Sequence, residues 1–376
     1  MAKAVYVGVG SKARKMKKAY IGIGGKARKV KKMYIGVGGK ARLCYSAELE
    51  KVGMAENLSD ERRGIAAASV GNYALFAGGI GHGSFIDRAH DAVDAYSASL
   101  TKSMPTALST VRSSHAGASV EGDALFAGGA DGQRTVDIVD SVDAYSASLT
   151  RTAAATLSGE RVWMGAASLE GRAFFAGGAS SNMNSDNKCA NVEVYNSTLT
   201  RTAATNLSVA RYYPLTATIG SRVLFAGGTG NTITKVVDVY STSLTRTAAA
   251  DLSRPTSGDA STVVGNYAIF TSDGNTSCDV YNASLTKTTV TLLSVARVNM
   301  SAGTVGDYAL FAGGGTNSPY SDVVDACDTS LTRTTVTTLD YPRSGLSSAT
   351  VGDYLLFAGG RIDSENYSSD VFVYTA

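Results

Sequence analysis

The tetrapeptide Phe-Ala-Gly-Gly recurs along this chain at nearly regular intervals and constrains the fold more than any other feature. Its six intact copies begin at Phe76, Phe126, Phe175, Phe225, Phe311 and Phe357. A further copy, fifth in chain order, is altered and spans Phe270–Gly274. Successive copies are 41 to 50 residues apart. A period of that length predicts one repeat architecture rather than several separate domains.

Each repeat contains four short segments that are typical of β-strands. An arginine leads into a small-residue strand a, and strand b is the apolar run into the glycines. Strand c alternates with period two, as in Val93–Tyr96, and strand d lies in a Thr-rich run, as in Leu149–Ala154. Four antiparallel strands per repeat predict the blade of a β-propeller. We assign the repeat arginines as Arg62, Arg112, Arg161, Arg211, Arg254, Arg297 and Arg343.

The two ends of the repeat region predict how the propeller closes. The last copy stops after strand c, Val371–Tyr374, two residues before the end of the chain. A segment that resembles strand d, Glu48–Gly53, precedes the first repeat. We therefore expect an all-β, seven-bladed propeller over residues 46–376. In this arrangement the N-terminal strand completes the last blade and leaves no open edge.

Charge divides the chain into two predicted parts. Residues 1–45 carry 13 Lys and Arg and no acidic residue, whereas the remainder carries 22 basic against 32 acidic residues. This pattern predicts a basic β-repeat arm attached to an acidic body. The arm lacks the continuous apolar core of a signal peptide, and no apolar run approaches the roughly 20 residues that span a bilayer. We expect synthesis in a bacterial cytoplasm and no membrane partner.

The body resembles a kelch-type β-propeller, on the Gly-Gly after strand b and the Tyr that ends strand c. The resemblance covers residues 46–376. The Trp that kelch repeats carry shortly after that Tyr is Ser or Thr here, as at Ser103 and Thr152, and the fifth copy lacks Gly-Gly. The resemblance implies a propeller scaffold, but it does not assign a kelch subfamily.

The predicted loops vary most on one face of the propeller. Connections from strand d to strand a and from b to c share that face, and their residues differ in every copy. Rigid scaffolds carry binding function on such loops, and aromatic residues are common anchors. Alternatively, single aromatics pack between blades, and the repeat arginines pair with strand or loop carbonyls. The predicted binding residues are Phe85, His115, Trp163, Met164, Tyr212, Tyr213, Asn299 and Tyr320.

Catalytic and metal-binding patterns are scarce. The three histidines, His82, His90 and His115, fall in or next to the first b–c loop, near Asp87 and Asp91. One hypothesis is that these histidines bind a metal ion. The simpler interpretation is that they are exposed loop residues. The Gly-rich loops lead to no helix, so they fail the context of a phosphate-binding loop. We expect no cofactor and no enzymatic activity.

The basic arm has its own repeat of 14 residues, in which a Tyr-initiated apolar and Gly-rich run is followed by a basic stretch. Its Gly-Gly dipeptides at 24–25 and 38–39 suit two-residue turns, which predicts short β-hairpins. Such hairpins are marginal alone, and their charge complements the acidic body. We therefore predict a homo-oligomer or filament held by residues 1–45. The assembly residues are Tyr6, Arg14, Tyr20, Arg28, Tyr34 and Arg42.

The arm pattern Tyr-Ile-Gly-Val-Gly-Gly-Lys-Ala-Arg is similar to repeats at the start of virion or tail-associated proteins of phages that infect gut Gram-positive bacteria. The resemblance covers residues 1–45 and implies a structural protein of the virion. Its propeller face would bind a host-surface glycan or protein. The alternative is an intracellular kelch-like scaffold for a protein partner. Nucleic-acid binding through the arm is a third hypothesis, and the acidic body argues against it.

Overall fold

The computed structural model describes residues 6–9, 12–15, 19–23, 26–30, 32–37, 40–46, 48–82, 88–131, 137–180, 187–315 and 319–376. Within these ranges every regular element is a β-strand. The all-β prediction is therefore confirmed, and the repeated four-stranded antiparallel sheets make the architecture propeller-like. The described part of the chain contains no helix with the length and apolar character needed to cross a bilayer.

The first strands form three separate two-stranded hairpins. They are β1 (Tyr6–Val9) with β2 (Lys12–Lys15), β3 (Tyr20–Ile23) with β4 (Lys26–Lys29), and β5 (Lys32–Val37) with β6 (Lys40–Ser46). Their last pairs, Val9 with Lys12, Ile23 with Lys26 and Val37 with Lys40, repeat the same register. The predicted hairpins are confirmed at the level of the backbone.

The strands that follow supply the four-stranded sheets and one short three-stranded sheet. The first group is β7 (Glu50–Met54), β8 (Arg62–Arg63), β9 (Ala66–Val70), β10 (Tyr73–Ala77), β11 (Ile80–Gly81), β12 (Arg88–Ala89), β13 (Val93–Ser97) and β14 (Lys102–Ser103). The second and third groups are β15 (Ala116–Val120), β16 (Asp123–Ala127), β17 (Val142–Ser146), β18 (Arg151–Ala153), β19 (Gly165–Leu169), β20 (Arg172–Ala176), β21 (Val192–Tyr195) and β22 (Arg201–Ala204).

The fourth and fifth groups are β23 (Leu215–Ile219), β24 (Arg222–Ala226), β25 (Val237–Tyr240), β26 (Arg246–Ala248), β27 (Ser261–Val264), β28 (Tyr267–Phe270), β29 (Ser277–Asn282) and β30 (Lys287–Thr291). The last groups are β31 (Ser301–Val305), β32 (Tyr308–Ala312), β33 (Val324–Asp328), β34 (Arg333–Thr335), β35 (Ser347–Val351), β36 (Tyr354–Ala358) and β37 (Val371–Thr375).

Strands a to d of each repeat lie side by side in the predicted order, as in β15-β16-β17-β18. The last sheet takes its fourth strand from the start of the body, because its order is β35-β36-β37-β7. Phe372 pairs with Met54 and Val373 with Gly53, and a bulge follows Val373. The strand predicted at Glu48–Gly53 is thus observed, shifted slightly toward the C-terminus.

Strands b and c are buried on both faces. The period-two alternation of strand c is typical of a half-buried strand, but four of the five residues of β17 are fully buried. The reason is that each sheet packs between two others. Leu125 of the second sheet shares a core cluster with Phe175 of the third, and Leu356 of the last sheet shares one with Phe76 of the first.

Strand a of each sheet consists of small and hydroxyl-bearing residues, which allows neighbouring sheets to approach closely. The hydroxyl of Ser119 donates to the carbonyl of Ser69 at 2.6 Å, and that of Thr218 donates to the carbonyl of Ser168 at 2.8 Å. Strand β15 packs against both β9 and β19, and β35 packs against β9. The first strands therefore contact one another from sheet to sheet.

In six of the described sheets, strand c places one acidic side chain in the core, and in five of these the repeat arginine reaches it. The last sheet has Phe372 at this position. Arg112 forms a buried ion pair with Asp143. On the other side, Arg151 of β18 lies 2.9 Å from the same carboxylate, and the N–H of Ser109 donates to it at 2.9 Å. A buried carboxylate is thus shared by two cations, as burial of a charge requires. The same arrangement surrounds Asp94, Glu193, Asp238 and Asp325.

The repeat arginines are structural, as one of the two hypotheses predicted. They bond carbonyls, as Arg297 does to Gly313 at 2.8 Å. That hypothesis named only carbonyls as partners and missed the strand-c carboxylates, with which these arginines form ion pairs.

The assignment of Arg254 as the fifth repeat arginine is wrong. Arg254 is exposed, and Thr256 is fully buried at the equivalent position, 14 residues before Phe270. The buried Asp279 accepts hydrogen bonds from a serine and a threonine hydroxyl and lies 3.8 Å from the amino group of Lys287. The fifth sheet thus has a neutral side chain where the other sheets have an inner arginine.

The Phe-Ala-Gly-Gly motif joins each sheet to the next. The N–H of its second glycine donates to the carbonyl of the following repeat arginine, as Gly314 does to Arg343 at 2.8 Å. Its first glycine has positive φ and leaves no room for a side chain, because a Cβ on Gly313 would lie 2.6 Å from that carbonyl oxygen. In the last sheet, Gly360 donates to Arg62 of the first sheet at 3.0 Å.

Candidate functional site: a cavity among the variable loops

The variable loops enclose a cavity of about 560 Å³, which we call the loop cavity. It is lined by the residues that follow the repeat arginines and by parts of the loops after strand b. Tyr212 does not line the cavity but contacts Trp163, and Phe85 lies outside the described residues. The predicted binding residues that line it are His115, Trp163, Met164, Tyr213, Asn299 and Tyr320.

Three aromatic rings cluster on the third and fourth sheets at this cavity. The ring centroids of Trp163 and Tyr213 are 5.2 Å apart, and those of Trp163 and Tyr212 are 5.4 Å apart. Trp163 and Tyr212 also pack against a small core cluster that includes Val162, as the alternative interpretation of these aromatics predicted. Tyr213 is 40% exposed. The cluster is therefore partly structural, and Tyr213 and Trp163 are its accessible members.

The residue two positions after each repeat arginine has a left-handed backbone. Asparagine tolerates this conformation, but it is an outlier for a bulky side chain. Trp163 has φ of 59° and Tyr213 has φ of 52°. Each such residue costs about 1–3 kcal/mol, and strain of this kind concentrates at ligand sites. The equivalent positions are Gly64, Ser114, Trp163, Tyr213, Gly258, Asn299 and Gly345.

A hydrogen-bond chain explains why the left-handed conformation recurs. The N–H of Trp163 donates to the carbonyl of Ser114 at 3.0 Å, and the N–H of Tyr213 donates to that of Trp163 at 2.9 Å. Gly345 donates in the same way to Asn299 at 3.0 Å. Five of the left-handed residues thus tie their sheets to the preceding ones through the backbone: Ser114, Trp163, Tyr213, Gly258 and Gly345. The backbone there is fixed by these links, so the side chains are free to differ.

His115 forms part of the cavity floor. It is 8% exposed, and its ring lies edge-on to Phe126 with centroids 6.0 Å apart. Neither ring nitrogen has a hydrogen-bond partner of good geometry within the described structure. Burial, together with the nearby Arg112 and Arg62, holds the pKa of His115 well below its usual range. The imidazole is therefore neutral, and both of its ring nitrogens are shielded from solvent.

One edge of the cavity is cationic, which the sequence did not reveal. Arg63 and Arg361 line the cavity. Their guanidinium carbons lie 5.4 Å and 5.9 Å from the ring centroid of Tyr367. His82 stacks on the same ring at 4.8 Å. The sequence signal that could have identified these two arginines was their position in the repeat. Arg63 directly follows a repeat arginine, and Arg361 directly follows a Gly-Gly.

The three histidines have separate environments. His82 stacks on Tyr367, Nδ1 of His90 lies 3.5 Å from a carboxylate oxygen of Asp60, and His115 lies on the cavity floor. Among the residues that the structure describes, no three His, Cys, Asp or Glu side chains are grouped so as to hold a metal ion. Asp87, one of the acids considered with these histidines, lies outside the described residues.

Comparison with known proteins gives a structural match alone. No family model and no curated protein matches the chain. A solved structure titled "Structure of YjhT" is similar, with a TM-score of 0.56 and 13% sequence identity. The match covers 86% of this chain and 97% of the other. The similarity concerns the fold.

Proposed function

We propose that this protein is a phage-type virion structural or fibre protein that assembles through residues 1–45. Its loop cavity binds a host-surface glycan or protein. The observation that carries the binding role is the pair Trp163 and Tyr213, whose bulky side chains occupy left-handed positions at the cavity. The folded chain bears this strain at positions where three other sheets have glycine. Packing alone does not account for the exposed Tyr213 ring.

The chemistry of the cavity suits recognition of a polar surface ligand. Aromatic faces at Trp163 and Tyr213 offer stacking area, and large amphipathic rings are the usual anchors of binding sites. A rigid scaffold holds these groups in place through the sheet-to-sheet links, which lowers the entropic cost of binding.

The first test removes the strained aromatic. Trp163→Gly should weaken binding at least about 30-fold, as expected for an anchor worth about 2 kcal/mol. Its effect on the free energy of unfolding is the balance of two changes, because glycine relieves the left-handed strain but loses the packing of the ring against the Val162 cluster. Binding is measured first on arrays of bacterial surface glycans and host-surface proteins, then by calorimetry on the partner found.

Glu170→Gly is the matched control for strain. Glu170 is exposed, has φ of 47° and lies in the turn between β19 and β20, away from the cavity. This variant should gain stability and bind normally. Unchanged binding by Trp163→Gly would contradict the proposal that the loop cavity is the binding site.

We further infer that the four-stranded sheets are seven blades of a kelch-type ring closed by the N-terminal strand. Three observations support this inference. The strand β7 pairs with β37, β35 packs against β9, and Gly360 donates to Arg62. Each of them joins the last sheet to the first part of the body. A ring of this kind places all the d–a loops around one mouth, which is the geometry the cavity requires.

The arm is proposed to hold neighbouring subunits together. Its hairpins share one register with a 14-residue period, and each is described as a two-stranded sheet, whose outer edges are suited to accept another strand. Its charge opposes that of the body. Deleting residues 1–45 should convert rings or fibres of the full chain into single propellers, as seen by electron microscopy and light scattering.

Two outcomes of that experiment would contradict the proposed role of the arm in assembly. Assemblies that persist in the truncated chain would locate the interface elsewhere. Compact monomers of the full chain would instead support the intracellular scaffold. Assembly through opposite charges should also weaken as salt is raised, since exposed charges are screened within about 8–10 Å at physiological ionic strength.

A further inference from the structure

The loop cavity has the opposite charge from the body that surrounds it. Among the described residues that line the cavity, two are arginines, Arg63 and Arg361, and none is an aspartate, a glutamate or a lysine. The body over residues 46–376 carries 22 basic against 32 acidic residues. The cavity is therefore a cationic site in an acidic protein, and such a site favours an anionic ligand.

The two cavity arginines differ from the repeat arginines in their partners. Arg62, which directly precedes Arg63, forms a buried ion pair with Asp94. Within the described ranges, neither Arg63 nor Arg361 forms an ion pair with a carboxylate. Asp363 lies on the same loop as Arg361, but its carboxylate accepts hydrogen bonds from N–H groups of that loop. The positive charge at the cavity is thus left for a ligand to neutralise.

The backbone fixes both arginines at the cavity edge. Arg63 pairs with Ile80 in the short sheet of β8, β11 and β12. Arg361 exchanges two backbone hydrogen bonds with Ser344, at 2.7 Å and 2.9 Å. Both guanidinium groups lie over the ring of Tyr367, and one N–H of Arg361 donates to a carbonyl of its own loop at 2.5 Å. Since each guanidinium has five N–H donors, further donors remain to bond an anion.

The fold does not require arginine at either position. The second sheet has Ser113 where the first has Arg63, and Ala130 where the last has Arg361. A backbone bridge joins Ser113 to Ala130 in the same way as it joins Ser344 to Arg361. The bridge therefore forms with small side chains as well, and the two arginines add charge to a backbone that is already fixed.

The rest of the cavity suits a sugar. Trp163 and Tyr213 present aromatic faces on which the C–H face of a sugar ring can stack. Ser114 and Asn299 also line the cavity, and within the described structure neither side chain has a hydrogen-bond partner, so both can bond sugar hydroxyls. A cavity of about 560 Å³ has the size of a small-molecule site, whereas a stable protein partner needs a contact face of about 800 Å².

We propose that the loop cavity binds an acidic glycan. A carboxylate or phosphate group of the glycan accepts charge-assisted hydrogen bonds from Arg63 and Arg361, and a sugar ring stacks on Trp163 or Tyr213. This inference rests on the proposed function, because it names the ligand class of the same cavity. Neutral glycans and acidic proteins each lack one of the two recognised features.

Trp163 provides a direct readout of binding, because it is the only tryptophan of the chain and lines the cavity. Its fluorescence is titrated with oligogalacturonate, oligo(glycerol phosphate), neutral dextran oligosaccharides and oligoglutamate. The natural chain should bind at least one of the two acidic glycans about tenfold more tightly than dextran or oligoglutamate. The preferred acidic glycan shows whether the recognised anion is a carboxylate or a phosphate.

The matched variant gives the cavity edge the side chains of the second sheet. Arg63→Ser combined with Arg361→Ala should weaken binding of the acidic glycan at least about 30-fold. The control is Arg88→Ser combined with Arg254→Ser, which lowers the net charge equally at two exposed arginines outside the cavity. It should bind within about twofold of the natural chain, since exposed charges are screened by salt. Circular dichroism and urea midpoints check that both variants fold.

Three outcomes would overturn the inference. They are no fluorescence response to either acidic glycan, equal or tighter binding of dextran or oligoglutamate, and equal losses in the two double variants. The proposed function fails separately. A neutral host glycan whose binding depends on Trp163 would support the proposed function and overturn the acidic ligand. Arginine-dependent binding of an acidic probe, with no ligand on any bacterial surface, would do the reverse.

Discussion

Replacing Arg112 by methionine is expected to destabilise the folded protein by about 3–5 kcal/mol, the range measured when one partner of a buried ion pair is removed. Arg112 and Asp143 are both buried, and the carboxylate would keep only the half-exposed Arg151 as a cationic partner. Methionine preserves most of the side-chain volume, so the loss would report on the charge rather than on a cavity. Urea denaturation followed by circular dichroism measures the change.

Two further variants separate charge from position. Arg254→Met removes an exposed arginine next to the equivalent site of the fifth sheet, and it should change stability by no more than about 0.5 kcal/mol. Adding Asp143→Asn to Arg112→Met should recover part of the loss, because it removes the orphaned charge. An Arg112→Met protein as stable as the Arg254→Met protein would show that the buried pair contributes nothing to the fold.

The second large effect is expected at the Gly-Gly motif. Gly313→Ala should cost about 2–5 kcal/mol, made up of left-handed strain of roughly 1–2 and overpacking of roughly 1–3 kcal/mol. The added Cβ would meet the Arg343 carbonyl at 2.6 Å and the Leu346 side chain at 2.7 Å. That carbonyl accepts the bond between the sixth and seventh sheets, so the substitution would push the two sheets apart.

Gly345→Ala is the control for strain without a clash. Its φ of +67° matches the +66° of Gly313, but a Cβ there would meet nothing within 4 Å. It should cost only the strain, about 1–2 kcal/mol. Both losses are read from urea denaturation midpoints. Equal losses at the two glycines would mean that φ alone, and not contact between sheets, requires glycine in the motif.

The repeat allowed the fold to be predicted from the sequence. The nearly regular spacing of the motif, the strand-like segments and the spare segment Glu48–Gly53 together predicted sheets of four strands. Burial of strand c was misjudged, because alternation in sequence does not reveal that a sheet is covered on both faces. Arg254 was misassigned because it is the nearest arginine to Phe270, whereas the position itself is held by Thr256. Partners such as Asp143 lie some 30 residues from their arginine and become visible only in three dimensions.

The candidate site was predicted by the same reasoning, from loops that vary while the scaffold repeats. The sequence did not show that Trp163 and Tyr213 have left-handed backbones, although a signal was present. Gly64, Gly258 and Gly345 occupy the equivalent position in other repeats. A recurring glycine indicates a backbone conformation that other residues adopt only with strain. Burial of His115 could not be foreseen, because it depends on how closely two sheets approach.

The chain of left-handed residues has a consequence for how the proposed binding face can evolve. Its backbone shape is set by links between sheets, so a new side chain at one position leaves the other six in place. Gly64, Gly258 and Gly345 are sites without a side chain that line the cavity. Substitution there would cost roughly 1–2 kcal/mol of strain each. Under the proposed function, such a face would change its host range by single point mutations, with no insertion, deletion or rebuilding of a loop.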